Sequence, residues 1–123
     1  MRKFTTMAVA LLVTLGLFAG LSQANSPEPT IKKVMKAAFN KKSGLCGPVL
    51  AGKASAAQKK ELFVLFEELA KANPPNGTAA SWKAKTGALV DASHAVAEGE
   101  AGSGAALKKA ANCKACHDAH KGE

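Results

Sequence analysis

The sequence predicts an all-α protein, an antiparallel four-helix bundle, and three observations support this prediction. Alanine and lysine, both good helix formers, dominate the 123 residues. Apolar residues recur at helical spacing in separate stretches, none of which shows the strict alternation typical of a half-buried strand. Breaks rich in glycine and proline separate these stretches. With 47% apolar and 21% charged residues, the chain has the balance of a single globular domain.

Residues 1–24 have the layout of a secretory signal peptide, which leaves residues 25–123 as the single mature domain. Two basic residues precede an uncharged apolar run over residues 7–18, and small residues lead to a cleavage pattern ending at Ala24. The run is shorter than the roughly 20 residues that span a bilayer, although an uncleaved membrane anchor is the alternative. We therefore expect a periplasmic protein, exported and soluble, with no membrane anchor after cleavage.

The charge of the chain favours acidic partners or an anionic surface. The net charge is +8, and loss of Arg2 and Lys3 with the signal peptide would lower it by two, to +6. The mature part contains no arginine, no run of five or six basic residues and no interleaved aromatics. Nucleic acid is therefore not expected as a partner.

Two helices are expected in the first half of the mature part. The first would begin at Thr30 as its N-cap. Its apolar stripe consists of Ile31, Val34, Met35, Ala38 and Phe39. After it, a glycine-rich stretch should be irregular or at most one turn long. The second helix would follow a capping box formed by Ser55 and Gln58. Its expected core residues are Leu62, Leu65, Phe66 and Leu69.

Two further helices are expected in the second half. The third would run from about Thr78 to Ala97. Its inward residues would be Trp82, Leu89, Val90, Val96 and Ala97. The fourth would start near Ser103 and continue to about His120, so that the four helices could form the bundle.

The C-terminal motif Cys113-Lys114-Ala115-Cys116-His117 has the C-x-x-C-H pattern of c-type haem attachment. On a helix, Cys113 and Cys116 leave the same face, so both sulfurs could form thioethers with the two haem vinyl groups. His117 could then bind the iron as proximal ligand. Upstream on this face, Ala106 and Ala110 are small enough to admit a flat macrocycle.

Two other interpretations of the motif are weaker. A dithiol redox site normally lies at a helix N-terminus in a βαβ unit, whereas this motif is expected near the end of a helix in an all-α chain. A structural zinc site needs four ligands in paired spacings. Export agrees with haem, since c-type attachment takes place outside the cytoplasm.

The place of the motif separates this chain from the common small cytochromes c, which carry it near the N-terminus. Here only six residues follow His117. The chain resembles the class II c-type cytochromes, the cytochrome c-prime group, which are exported four-helix bundles with C-x-x-C-H on the last helix. The resemblance implies one haem c per chain, with its iron. Lys121 matches a basic residue that follows the histidine in that family, which places it at the haem edge; the alternative is a solvated lysine.

The resemblance also implies a distal iron ligand. Low-spin members of the family take a methionine from the first helix, and Met35 stands at that place as the only methionine of the mature part. The alternative is a core methionine on the apolar stripe. Of the other candidates, His94 is expected at the surface or rim, with iron ligation as a neutral imidazole as the alternative. His120 is expected to be exposed near the haem edge. Cys46 is expected to be buried and inert, with an intermolecular disulfide or a reactive thiol as the alternative.

The function expected from this site is one-electron transfer, and the protein is not expected to be an enzyme. No Ser-His-Asp set and no pair of carboxylates within an apolar stripe is found in the sequence. The alternatives are a five-coordinate haem protein that binds nitric oxide or carbon monoxide, and an accessory haem subunit of a periplasmic oxidoreductase. The sequence leaves open whether the protein forms a homodimer through its first two helices. The expected contacts to an acidic redox partner are Lys108, Lys109, Lys114 and Lys121.

Overall fold

A computed structural model describes residues 27–122, and all regular structure within this range is helical. The elements are α1 (Pro27–Phe39), α2 (Cys46–Leu50), α3 (Ala56–Lys71), α4 (Ala79–Ala97), α5 (Ser103–Ala110) and α6 (Cys113–His120). The all-α prediction is thus confirmed for this part of the chain, and the expected signal peptide lies outside the described residues. No helix between residues 27 and 122 is both long and apolar enough to cross a membrane.

The core lies around α3, which packs against α1 and α4, while α5 packs against α4. The four residues expected to be buried on α3 are all buried. Phe66 is fully buried, and its ring stacks on that of Phe39 with centroids 5.7 Å apart, which joins α3 to α1. The fully buried Leu107 of α5 belongs to the same core cluster.

Local side chains fix the starts of α3 and α4, and the capping box expected at α3 is present. Ser55 Oγ accepts a hydrogen bond from the Gln58 amide at 3.2 Å, and Gln58 Oε1 accepts one from the Ser55 amide at 2.9 Å. Thr78 caps α4 with a single bond, in which its Oγ1 accepts from the Ser81 amide at 3.2 Å. The two reciprocal bonds satisfy backbone donors that a helix N-terminus otherwise leaves unpaired.

The burial of α4 follows the predicted stripe with one exception. Trp82, Leu89 and Val96 are buried and Val90 is partly buried, but Ala97 is exposed in the last turn. Trp82 also ties the preceding loop to the helix, because its Nε1 donates to the Ala72 carbonyl at 2.8 Å.

The first helix differs from the prediction at its start. It begins at Pro27, so Thr30 lies within the helix and is not its cap; proline is favoured in a first turn, where its missing N–H is not needed. After Phe39 a turn follows, in which Asn40 Oδ1 accepts from the amides of Lys42 and Ser43. The stretch expected to hold at most one turn contains the five-residue α2.

The predicted fourth helix is wrong as a single element, because the chain leaves the helix between Ala110 and Cys113. Asn112 has an extended ψ of 95°, and its Oδ1 accepts from the Ala115 amide at 3.1 Å. Asparagine in this geometry is a favoured N-cap and starts a new helix. The C-x-x-C-H motif therefore begins α6 and does not lie near the end of a long helix.

Candidate functional site

A cavity of about 630 Å³ lies next to the motif, within the size range of roughly 300–1,000 Å³ typical of small-molecule and cofactor sites. Its walls come from α1, the loop between α3 and α4, the start of α4, and α6 with the two residues after it. Its lining includes Ile31, Met35, Pro75, Trp82, Cys116 and His117. The structure thus brings four of the five predicted site residues to one cavity, because Lys121 lines it as well.

Met35 and His117 reach this cavity from separate helices. Met35 belongs to α1 and is half-buried against the core, so it is both a core side chain and a cavity side chain. His117 belongs to α6 and is exposed. A thioether and an imidazole, two donors that bind haem iron, therefore line the same apolar space.

Cys113 is placed differently from Cys116. It is the exposed first residue of α6, and it lines a second cavity of about 630 Å³ beside the turn between α1 and α2. Cys46 and Ala111 line that second cavity as well. The structure therefore does not bring Cys113 into the cavity of Met35 and His117, although Cys113 and Cys116 are one turn apart.

The two alanines expected to face the macrocycle are also placed elsewhere. Ala106 and Ala110 line a groove between α4 and α5, together with Cys116. The cause is the break at Asn112, because it ends the continuous helical face that the prediction assumed. Only Cys116 belongs to both the groove and the cavity.

The break at Asn112 bears on the dithiol alternative, because it changes the position of the motif within its helix. The motif lies at a helix N-terminus, and the expectation that it lies near a helix end is wrong. Helix N-termini stabilise thiolates, which favours redox chemistry. Burial acts in the opposite direction and raises the pKa of the Cys116 thiol, an effect that the positive charge of Lys85 reduces. Thiol chemistry is therefore the alternative that experiments must separate from haem binding.

Cys46 is buried as expected, with 5% of its surface exposed. Burial, reinforced by the neighbouring Cys113, raises the pKa of its thiol.

The three thiols are expected to react with iodoacetamide in a fixed order in a mature chain made without haem. Cys113 should react first because it is exposed, Cys116 second, and Cys46 last because both its burial and its raised pKa disfavour an accessible thiolate. Peptide mass spectrometry over a time course at neutral pH measures the three rates. Equal rates for Cys46 and Cys113 would contradict the packing of α2.

The two remaining histidines have different surroundings. His94 is exposed on α4, where its Nε2 lies 3.8 Å from Glu98 Oε1 and its ring contacts Phe63, and it does not line the cavity. His120 is 2% exposed and does line the cavity, so the expectation that it is exposed is wrong. Its ring is held by the loop before α4 and by α4 itself, contacts that helical periodicity does not predict. Among residues 27–122, no three His, Cys, Asp or Glu side chains come together as metal ligands.

The lysines around the cavity are partly those predicted. Lys121 lines the cavity and is exposed, and Lys32 and Lys36 of α1 line it too. Lys114 is exposed but forms an ion pair with Asp118, which reduces its use as a positive contact. The positive charge at the cavity thus comes from α1 and from the residue after α6.

Comparison with known protein families, with curated proteins and with solved structures gives no match. The function is therefore inferred from the motif and the cavity.

Proposed function

We propose that the protein is an exported monohaem c-type cytochrome that carries single electrons, of the class II kind that its C-terminal motif resembles. One observation carries the proposal: Met35 and His117 line one apolar cavity, and Cys116 of the attachment motif lines it with them. In this proposal α1, α3, α4 and the α5–α6 pair are the four helices of an antiparallel bundle, and the first 24 residues direct the chain to the periplasm.

The residues of the cavity fit a haem in kind. His117 would hold the iron as proximal ligand and Met35 as distal ligand, and both side chains are at the cavity already. When bound, haem supplies an iron that gains or loses one electron. Ile31, Pro75 and Trp82 contribute apolar surface to the lining of the cavity.

The two cysteines would hold the group covalently. Cys116 lines the cavity, and Cys113 is exposed at the first position of α6, so its sulfur is accessible without disturbing the core. The exposed place of Cys113 is therefore compatible with attachment.

The lysines of the cavity and of α5 give this part of the protein surface a positive charge. Lys32, Lys36 and Lys121 line the cavity, where their charges could meet the anionic propionates or attract an acidic redox partner. Lys108 and Lys109 are exposed on α5 and extend the positive surface. Because such steering acts through charge, electron transfer to an acidic partner should slow as the salt concentration rises.

Visible spectra of the mature protein, made in a host that attaches c-type haem, test the proposal. The oxidised and reduced forms should have low-spin spectra, and carbon monoxide should leave the reduced spectrum unchanged because His117 and Met35 would both bind the iron. A high-spin spectrum that shifts with carbon monoxide would instead identify a gas-binding protein. A protein without haem absorption would contradict both and favour the dithiol alternative.

Met35→Ala is expected to open the iron to added ligands. If Met35 leaves the iron in about 10% or less of the wild-type molecules, the wild type binds carbon monoxide about tenfold or more weakly than an open iron does. The variant should therefore bind carbon monoxide at least that much better. Its reduction potential should fall, since methionine ligation raises the potential.

Ile31→Ala is the matched control, because Ile31 lines the same cavity on the same helix but has no donor atom. It should keep the carbon monoxide behaviour of the wild type. If Met35→Ala has an unchanged spectrum and unchanged affinity, Met35 is a core residue only.

A further inference from the structure

His120 is the one buried side chain of α6, the helix that carries the attachment motif. The helix has eight residues and packs against α4. Cys113 and His117 are exposed, and Cys116 is half-buried. The attachment of α6 to the rest of the fold therefore depends strongly on its last residue.

The ring of His120 is held by two hydrogen bonds to different elements. Its Nδ1 lies 2.9 Å from the carbonyl oxygen of Asn76, in the loop between α3 and α4. Since a carbonyl oxygen can only accept, Nδ1 carries a proton and donates it. Nε2 lies 3.0 Å from Ser81 Oγ of α4, whose hydroxyl can donate to it. The ring is nearly perpendicular to that of Trp82, with 5.3 Å between the two centroids.

The loop is shaped to receive this ring. Gly77 has φ +84°, and a Cβ on it would lie 2.5 Å from His120 Nδ1, so the close approach requires glycine. Asn76 Nδ2 donates to the Lys121 carbonyl at 2.8 Å, which joins the same loop to the end of α6. Loop, helix α4 and helix α6 thus meet at His120.

We propose that His120 is a positioning residue, whose hydrogen bonds to Asn76 and Ser81 hold α6 in place and so direct His117 to the cavity. His117 lies three residues before His120, one turn along the same helix, so a movement of α6 would displace its imidazole. The inference that the iron ligand is positioned rests on the proposed function. The anchoring of α6 itself depends only on the contacts of His120.

His120→Phe tests the anchor, because phenylalanine keeps a ring against Trp82 but forms neither hydrogen bond. The Asn76 carbonyl and the Ser81 hydroxyl would lose a buried partner, so we expect amide hydrogen exchange in α6 to accelerate by about tenfold or more. Exchange is measured on the mature protein as isolated, well below its unfolding temperature. The matched control is His94→Phe, the same substitution at an exposed histidine of α4, which should leave exchange in α6 unchanged.

Gly77→Ala approaches the same contact from the loop. It should accelerate exchange in α6 as His120→Phe does, since the added methyl group would displace the ring. Gly99→Ala is its control, because Gly99 has a similar φ of +74° but no atom within 4 Å of an added Cβ. If amide exchange in α6 stays at the wild-type rate in both His120→Phe and Gly77→Ala, the proposal that His120 anchors α6 is overturned.

The positioning of His117 has its own readout in protein that carries haem. His120→Phe should shift the visible bands and the reduction potential, while His94→Phe leaves both as in the wild type. Unchanged bands and potential together with faster exchange would mean that His120 anchors α6 without positioning the ligand, and would overturn that part. A wild-type protein without haem would contradict the proposed function, and the exchange rates would still decide the anchor.

Discussion

Replacing both Cys113 and Cys116 with alanine is expected to abolish covalent haem in the mature protein, which is the largest effect of any substitution at the site. The two sulfurs are the only protein atoms in the motif that can form thioethers with haem vinyl groups. Each single variant should keep a haem bound through one sulfur, in lower yield. The result is measured as the amount of haem that stays with the chain after denaturation.

Cys46→Ala is the matched control for this double variant. Cys46 is the remaining cysteine of the chain, and it is buried on α2, where alanine of similar size would be tolerated. The control should retain haem at the wild-type level. Haem that resists denaturation in the double variant, or its loss in Cys46→Ala, would contradict the assignment of the attachment sites.

Phe66→Ala is expected to have the largest effect on stability. Phe66 is fully buried between α3 and α1, where it stacks on Phe39. Truncation of a buried phenylalanine costs about 3–5 kcal/mol through lost transfer energy and the cavity left behind. Because domains of this size are stable by only about 5–15 kcal/mol, the variant would lose a large part of its free energy of unfolding. Urea unfolding followed by circular dichroism measures the loss.

Phe63→Ala is the control within the same helix. Phe63 is only partly buried and contacts the exposed His94, so its truncation should cost much less than that of Phe66. Equal losses for the two variants would mean that the core is not centred on Phe66.

The parts of the fold that the sequence predicted well are those that local chemistry determines. The capping box of α3 requires only Ser55 and Gln58, which are three residues apart, and both of its hydrogen bonds form. The buried stripe ending at Leu69 follows from helical period alone. In such segments, propensity, capping and burial all favour the same structure.

The break between α5 and α6 was missed because the chain there contains neither glycine nor proline. Ala110 and Ala111 favour continued helix, and Asn112 is only a weak helix breaker in an interior position. Asparagine is at the same time a strong N-cap, and the hydrogen bond to the Ala115 amide selects that role here. An asparagine before the motif was therefore the one local signal for a new helix.

The site was predicted unevenly for a related reason. Met35 and His117 were predicted as ligands from the motif and the family resemblance, and both line the cavity. His120 was expected to be exposed, because its two hydrogen-bond partners lie 39 and 44 residues away along the chain and periodicity cannot find them. Polar contacts between distant segments need the fold to be known first.

The measurement that tests the central claim most directly is the mass of the mature protein under denaturing conditions, followed by a peptide map. The protein is made with its own signal sequence in a host that attaches c-type haem. We predict the mass of residues 25–123 plus one haem, with the added mass on the peptide that contains Cys113, Cys116 and His117. An unmodified chain with Cys113 and Cys116 as free thiols or as a disulfide would contradict the haem assignment.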